Sequence, residues 1–136
     1  MVVVLAEIPL RDLESQCSRQ SLTNVQSLWI PPADDVEKLE ADLPRLHGQK
    51  SRLFCLTGTP LPDPAGYDRQ YVGVVMGGKR WIYVNAFSGV SAMLTLGGVD
   101  PTRQLVRVCG GGAGLWGVLY DPSGRSFDQL AMNCSM

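Results

Sequence analysis

The feature that most constrains the fold is a pair of β-rich segments separated by two glycines. RQYVGVVM (69–76) and KRWIYVNAF (79–87) are rich in β-branched and aromatic residues, and the intervening Gly77-Gly78 linker is of the kind that closes a tight hairpin. A two-residue linker predicts a register in which Val74 faces Trp81. Both faces of this hairpin are mostly apolar, so we expect both to be covered, with a partner as one candidate for the second cover.

A second hairpin is predicted near the C-terminus. The segment from Trp116 to Tyr120 has the pattern of a strand, Pro122 and Ser123 suit the centre of a type I turn, and Gly124 suits a left-handed position after it. The expected register places Leu119 opposite Phe127 and Trp116 opposite Leu130. QLVRVC (104–109) has the pattern of a further strand ahead of this hairpin.

One complete helix is predicted over residues 34–46. Asp34 suits the N-cap, Glu37 follows it at capping-box spacing, and Gly48 suits the end of the helix. Four residues at intervals of three and four form one apolar stripe: Val36, Leu39, Leu43 and Leu46.

These elements predict an α+β fold with one main helix packed on a four-stranded antiparallel meander sheet. The 136 residues form a single domain, with residues 1–30 as an N-terminal segment of uncertain structure and 31–136 as helix plus sheet. A strand near Val2 to Ala6 and a short helix near Leu10 to Gln20 are expected in the N-terminal segment. Residues 57–68 should be a surface loop, and the link 89–103 is long enough to suggest a role in binding.

The glycine-rich stretch CGGGAGLWGVLYD begins at Cys109 and could be a phosphate loop or a bend between strands. A phosphate loop needs a helix directly after it, whereas the residues that follow here have the pattern of a strand. We therefore expect the glycines to let the chain bulge or bend as it enters the Trp116 strand.

Charge and hydropathy exclude several classes of function. The formal net charge is -1, from 12 basic and 13 acidic residues, and the basic residues are scattered, so nucleic acid is not expected as a partner. The longest apolar run, at the N-terminus, is far too short for a transmembrane segment. It also lacks the features of an intact signal peptide, although an exported protein without its leader would look the same.

The four cysteines bear on the cellular compartment. Their number is even and they are widely spaced, which suits either two disulfides in an oxidising compartment or four buried thiols in a reducing one. The sequence slightly favours two disulfides. Cys109 with Cys134, and by elimination Cys17 with Cys55, is the expected pairing. We therefore predict a periplasmic or secreted protein, with a cytoplasmic location as the alternative. No metal site and no cofactor are predicted.

Binding is better supported by the sequence than catalysis. The only histidine, His47, has no nucleophile motif to accompany it, so no catalytic residues are predicted. If one sheet face is left uncovered, its aromatic side chains would form a binding surface rimmed by arginines. The candidate residues are Trp81, Tyr83, Trp116, Tyr120, Arg69, Arg80 and Arg107.

Two functions follow as hypotheses. The first is a non-enzymatic protein-binding module, of inhibitor or immunity type, or one that self-associates, acting through the exposed sheet face or the 89–103 loop. The second is a small-molecule-binding or isomerase- or hydrolase-like protein with a pocket around Asp68, Asn85 or Tyr83.

Three segments carry a resemblance to known proteins: WIPPADDVEKLEADL, RQYVG with KRWIYVNAF, and VCGGGAGLWGVLYD. The order of one helix and then four antiparallel strands resembles the cystatin-like architecture, and the segments resemble an uncharacterised group of small bacterial exported proteins and lipoproteins. The likeness covers about residues 28 to 134 and brings no assigned activity. Inhibitory cystatins use a Gln-x-Val-x-Gly hairpin, whereas Gln70-Tyr71-Val72-Gly73 has its glycine one residue early and lies within a predicted strand.

Overall fold

The computed structural model describes residues 1–51, 55–88 and 97–135. These ranges contain six strands and two α-helices with described bounds: β1 (Val2–Val4), α1 (Leu10–Glu14), β2 (Val25–Trp29), α2 (Ala33–Asp42), β3 (Asp68–Met76), β4 (Lys79–Phe87), β5 (Leu115–Asp121) and β6 (Ser126–Met132). Short 3-10 segments lie at Leu43–Leu46, Pro64–Gly66 and Gly112–Gly114. Residues 89–96 of the predicted link 89–103 lie outside the described residues.

The strands form one mixed six-stranded sheet. β3, β4, β5 and β6 are neighbours in that order and antiparallel, and both N-terminal strands join the free edge of β3. β1 pairs in parallel with the first half of β3, and β2 pairs antiparallel with the second half of β3. The α+β class is confirmed, but the four-stranded antiparallel meander was wrong, because residues 1–30 add two strands to the sheet: β1, which was expected near Val2 to Ala6, and β2, which was not expected.

The first hairpin has the predicted register. Val74 lies opposite Trp81 and Val72 opposite Tyr83, and the two linker glycines both adopt positive φ. Because the side-chain period of a strand is two, this register fixes which residues face each side of the sheet.

The second hairpin departs from its predicted register. Leu119 pairs with Asp128 because the turn holds four residues, 122–125, between the paired Asp121 and Ser126. Trp116 pairs with Met132 because the pairing shifts once more between Gly117 and Leu119. The left-handed residue in the turn is Arg125 rather than Gly124. A bulge of this kind adds a residue to one strand, so the register that a simple turn would give is lost.

QLVRVC is not a strand. Buried side chains hold this part of the chain instead: Gln70 donates to the carbonyl of Gln104 and Asn85 donates to the carbonyl of Val106, both from the sheet. The Gln70 carbonyl oxygen also accepts the Val106 backbone N–H. The segment 104–110 therefore lies across the sheet and satisfies its backbone groups without a strand partner.

The main helix matches the predicted stripe but not the predicted cap. α2 begins at Ala33 after Pro32, no side chain caps it, and the helical path continues as the 3-10 segment to Leu46. Leu39, Leu43 and Leu46 are buried against the sheet. The capping box was wrong because Asp34 lies inside the first turn rather than before it.

Each face of the sheet has its own core. On the first face, α2 and its 3-10 extension pack on the strands; the buried residues include Leu39, Leu43, Leu46, Tyr71, Ile82, Val84, Trp116, Val118 and Tyr120. On the second face, the N-terminal segment and Leu105 pack on the strands; the buried residues include Leu5, Ile8, Leu13, Leu22, Val72, Val74, Tyr83 and Leu119. Every residue of β5 is buried as a result. The second cover is the chain itself.

The glycine-rich stretch ends in a strand. Gly110, Gly111 and Gly112 adopt positive φ, the chain makes a 3-10 turn to Gly114, and β5 follows directly at Leu115. The expected bend is confirmed at this position.

Two disulfides link distant parts of the chain, and their pairing differs from the predicted one. Cys17 is bonded to Cys109, and Cys55 to Cys134. The predicted Cys109–Cys134 pair was wrong because residues 104–110 do not form the neighbouring strand on which it depended. The first bond joins the N-terminal cover to the segment 104–110, and the second anchors the chain just after β6. No helix of the described ranges has the length and hydropathy to span a membrane.

We expect non-reducing proteolysis and mass spectrometry to yield cross-linked peptides for Cys17–Cys109 and Cys55–Cys134. The double variant Cys17→Ser/Cys109→Ser should lower the free energy of unfolding by about 4 kcal/mol, since the bond closes a long loop in the unfolded chain. Urea denaturation measures this loss. A peptide linking Cys109 to Cys134 would contradict the pairing.

Gly117→Ala should destabilise the fold by about 2 kcal/mol or more. An added Cβ would overlap the Tyr83 hydroxyl and lie 2.5 Å from Arg19 Nη1. The matched control is Gly114→Ala, whose Cβ would meet nothing closer than 3.7 Å. Thermal and urea denaturation should give a clearly lower free energy of unfolding for Gly117→Ala than for Gly114→Ala. Equal values would show that the side chains around Gly117 can move to accommodate a methyl group.

Candidate functional site

The predicted aromatic surface is mostly interior. Tyr83, Trp116 and Tyr120 are buried, Trp81 is half-buried, and of the predicted arginines of the two hairpins only Arg80 is exposed. The uncovered aromatic face expected from the sequence is therefore absent, because α2 covers one side and the N-terminal segment covers the other.

Tyr120 lies in an ion-pair cluster that fastens the helix to the sheet. Its hydroxyl donates to Asp42 Oδ2 over 2.6 Å, and the guanidinium of Arg125 binds both oxygens of the same carboxylate over 3.0 Å. The hydrogen bond from Arg125, with help from Tyr120 and the charge of Arg45, lowers the pKa of Asp42 to about 2. Burial, together with the Asp42 carboxylate, raises the pKa of Tyr120 to about 12.

Arg69 is a buried anchor rather than a rim residue. Its Nη2 lies 3.1 Å from Glu40 Oε2 on α2, and its Nε donates to the Tyr71 hydroxyl over 3.0 Å. The Tyr71 hydroxyl donates in turn to Glu40 Oε1. Burial, with the neighbouring Glu40, raises the pKa of Tyr71. This cluster and the Asp42 cluster hold α2 to the sheet at two points.

The residues suggested for a pocket do not converge on one. Tyr83 and Asn85 bind Arg19, whose Nη2 donates to Asn85 Oδ1 over 2.7 Å and whose Nη1 donates to the Tyr83 hydroxyl over 3.3 Å. All three side chains are buried in a packed interior. Asp68 lies elsewhere, in an ion pair with the amino group of Met1.

The exposed site begins where β2 leaves the sheet. Trp29, the last residue of β2, donates its indole N–H to the carbonyls of Val74 and Trp81, over 3.2 and 3.0 Å. Gly73 lies directly opposite, and a Cβ there would overlap the Trp29 carbonyl oxygen. The missing side chain thus lets the backbone of Trp29 approach β3 closely.

Arg80 covers the outer side of this tryptophan. Its guanidinium carbon lies 5.2 Å from the centroid of the Trp29 ring, within the range of a cation–π contact. No hydrogen bond or ion pair of the Arg80 side chain is found within the described ranges. Its guanidinium donors are therefore available to an acceptor from outside.

The next residue, Ile30, is 68% exposed. Together with Trp29, Pro32, Lys38 and Arg80 it borders an open groove of about 440 Å³, and we name these five residues the Trp29 patch. Lys38 makes a 3.8 Å ion pair with Asp35 on α2. An exposed isoleucine beside a stacked Trp–Arg pair is the composition typical of the energetic centre of a protein interface.

Sequence reasoning identified Arg80 but missed Trp29 and Ile30. The WIPP segment could have indicated both residues. Proline has no backbone N–H and cannot extend a sheet ladder, so β2 must end there. The apolar residues just before the prolines are thereby carried out of the sheet. Trp81, the one predicted aromatic that is not buried, lies on the opposite face of the sheet, where Lys79 covers its ring at 4.4 Å.

Comparison with family models, with curated proteins and with solved structures finds no match for this chain. Within the described ranges, no group of three or more histidine, cysteine or acidic residues is placed to hold a metal ion.

Asp42 should make the stability depend on pH in acid. Its pKa in the folded state lies below the ordinary value of 3.8, so its contribution is full above pH 4 and is lost as the pH falls toward 2. Asp42→Asn should therefore cost on the order of 1 kcal/mol at pH 6 and less at pH 2.5, measured by urea denaturation. Asp34→Asn, which removes an exposed carboxylate from the same helix, is the charge-matched control and should cost less than Asp42→Asn at pH 6. A constant difference for Asp42→Asn at both pH values would contradict the assignment.

Proposed function

We propose that this chain is an exported, non-enzymatic protein-binding module that engages another protein through the Trp29 patch. The exposure of Ile30 beside the Trp29–Arg80 stack is the observation that carries the proposal. Burying an exposed isoleucine beside the Trp29–Arg80 stack provides the apolar contribution that interface centres use.

The two disulfides support the exported location. Structural disulfides persist in oxidising compartments and are rare in reducing ones. Cys17–Cys109 and Cys55–Cys134 both link segments distant in sequence, so they stabilise the tertiary structure as a whole. A periplasmic or secreted setting suits this arrangement.

The titratable groups support binding over catalysis. The carboxylates nearest the helix–sheet interface, Glu40 and Asp42, are engaged by Arg69 and Arg125 and by tyrosine hydroxyls. These groups join two elements of the fold rather than surround a cavity. The groove at the Trp29 patch, by contrast, offers apolar and cationic contacts, and its one carboxylate within the described ranges, Asp35, pairs with Lys38.

The patch favours a different protein over a second copy. A symmetric homodimer would place the same surface against itself, so the two Arg80 guanidiniums would lie near each other. A partner with an apolar socket for Ile30 and a carboxylate beside it complements both features. An inhibitor or immunity-type role is one form that such binding could take.

We expect Ile30→Ser and Arg80→Glu each to weaken the partner complex at least tenfold, which corresponds to about 1.4 kcal/mol or more. The measurement is affinity capture with wild-type and variant baits, followed by titration calorimetry of the reconstituted pair. Lys50→Glu, with the same charge change as Arg80→Glu at an exposed site, is the control and should bind within twofold of wild type.

A protein captured equally by all four baits would overturn the assignment of the patch. Concentration-dependent dimerisation of the wild type that Ile30→Ser abolishes, seen by sedimentation velocity, would replace the foreign partner with a second copy.

A further inference from the structure

A second surface lies on the far side of the molecule, on the cover of the other sheet face. An open cleft of about 550 Å³ separates α1 from the segment 99–107. We name it the arginine cleft; its lining residues include Ile8, Arg11, Asp12, Val99, Arg103 and Arg107.

Covalent and ionic links join the two walls of the arginine cleft. The Cys17–Cys109 disulfide connects the chain after α1 to the end of the other wall. Arg107 Nη2 lies 3.3 Å from Asp12 Oδ1, and Arg107 Nη1 lies 3.4 Å from Ser15 Oγ. The cleft is thus formed before any ligand arrives, which reduces the entropy cost of binding.

The cleft carries an excess of positive charge. Among the described residues that line it, Asp12 is the only acidic one, and Arg107 already pairs with it. Arg11 makes no ion pair in the described part of the chain. Arg103 is 86% exposed and meets Asp100 only at 4.0 Å. Since the whole chain has a net charge of -1, this grouping of three arginines, of which Arg11 makes no ion pair in the described ranges, is a local feature.

The inner wall of the cleft is apolar. Ile8 and Leu105 are buried in the second core and present their outer edges to the cleft, and Val99 is half-buried beside them. A single small anion would satisfy one arginine and make no contact with this apolar wall. An extended chain that alternates carboxylates with apolar side chains complements both parts.

We infer that the arginine cleft binds an acidic, extended segment of a protein partner, with carboxylates on Arg11 and Arg103 and an apolar side chain on the Ile8–Leu105 wall. This site is independent of the Trp29 patch and goes beyond the function proposed for it. Arg107 is a positioning residue here, since its contacts with Asp12 and Ser15 set the separation of the walls.

The test is an NMR titration of the ¹⁵N-labelled, oxidised full chain with a blocked octapeptide of six glutamates and two leucines. Saturable shift changes are expected for residues 8–17 and 97–107 and not around the Trp29 patch. Arg11→Gln/Arg103→Gln should raise the Kd at least tenfold. Lys50→Gln/Lys79→Gln removes the same charge from exposed residues outside both surfaces and should leave the Kd within twofold of wild type.

Four results would overturn the inference. Equal weakening by both double variants would indicate diffuse electrostatic attraction. Shifts of the same residues with sodium acetate or inorganic phosphate at matched charge would indicate an anion site alone. Equal binding of the lysine–leucine octapeptide would remove the role of carboxylates. Stronger binding of a single-stranded oligonucleotide at the same residues would assign the cleft to nucleic acid.

Discussion

The rest of the structure depends on the fact that the β3–β4 hairpin is apolar on both sides. A sheet of this kind is unstable in water unless each face is covered, and the chain supplies both covers. The helix covers the first face with a regular stripe at helical spacing. The N-terminal 25 residues and the segment 99–110 cover the second face with irregular chain, held by a disulfide and by side-chain hydrogen bonds.

An irregular cover needs partners for its backbone groups, and buried polar side chains provide them. Gln70 and Asn85 lie side by side on adjacent strands and bind each other as well as the segment above them.

Arg19 is buried in the same layer. Its guanidinium donates hydrogen bonds only to uncharged oxygens, and no carboxylate lies within ion-pair distance of it in the described ranges. Its Nε has no hydrogen-bond partner there. Gly117 leaves the space that its guanidinium occupies. Burying a cation without a counter-ion costs free energy of desolvation, and the N-terminal cover imposes this cost on Arg19. The hydrogen bonds of Arg19 with Tyr83 and Asn85 offset part of it.

The sequence predicted the regular parts of this fold and not the irregular ones. The first hairpin register followed from a two-glycine linker, and the helix stripe followed from spacing. The register predicted for the second hairpin failed because its turn holds four residues instead of three, and because a bulge, with Gln129 at positive φ, cannot be recognised from a pattern of period two. The disulfides failed because four cysteines allow three pairings, and distinguishing them requires the path of residues 104–110. The apolar residues of the second cover, such as Ile8 and Leu13, have no periodic spacing, so the covering role of the N-terminal segment left no local signal.

The same two-sided burial explains why the candidate sites lie away from the residues first predicted for them. Aromatic side chains on the central strands were taken into the two cores, which removed Tyr83, Trp116 and Tyr120 from the surface. The acids beside α2 were taken by Arg69 and Arg125, whereas Arg11 and Arg80 have no acid partner in the described ranges. Side chains available to a partner therefore occur at two places. One lies after Trp29, where two prolines end β2, and the other lies along the outer edge of the second cover. At both places the unpaired groups are cations beside exposed or half-buried apolar atoms, so carboxylates next to apolar side chains are the chemistry that complements this protein's surface.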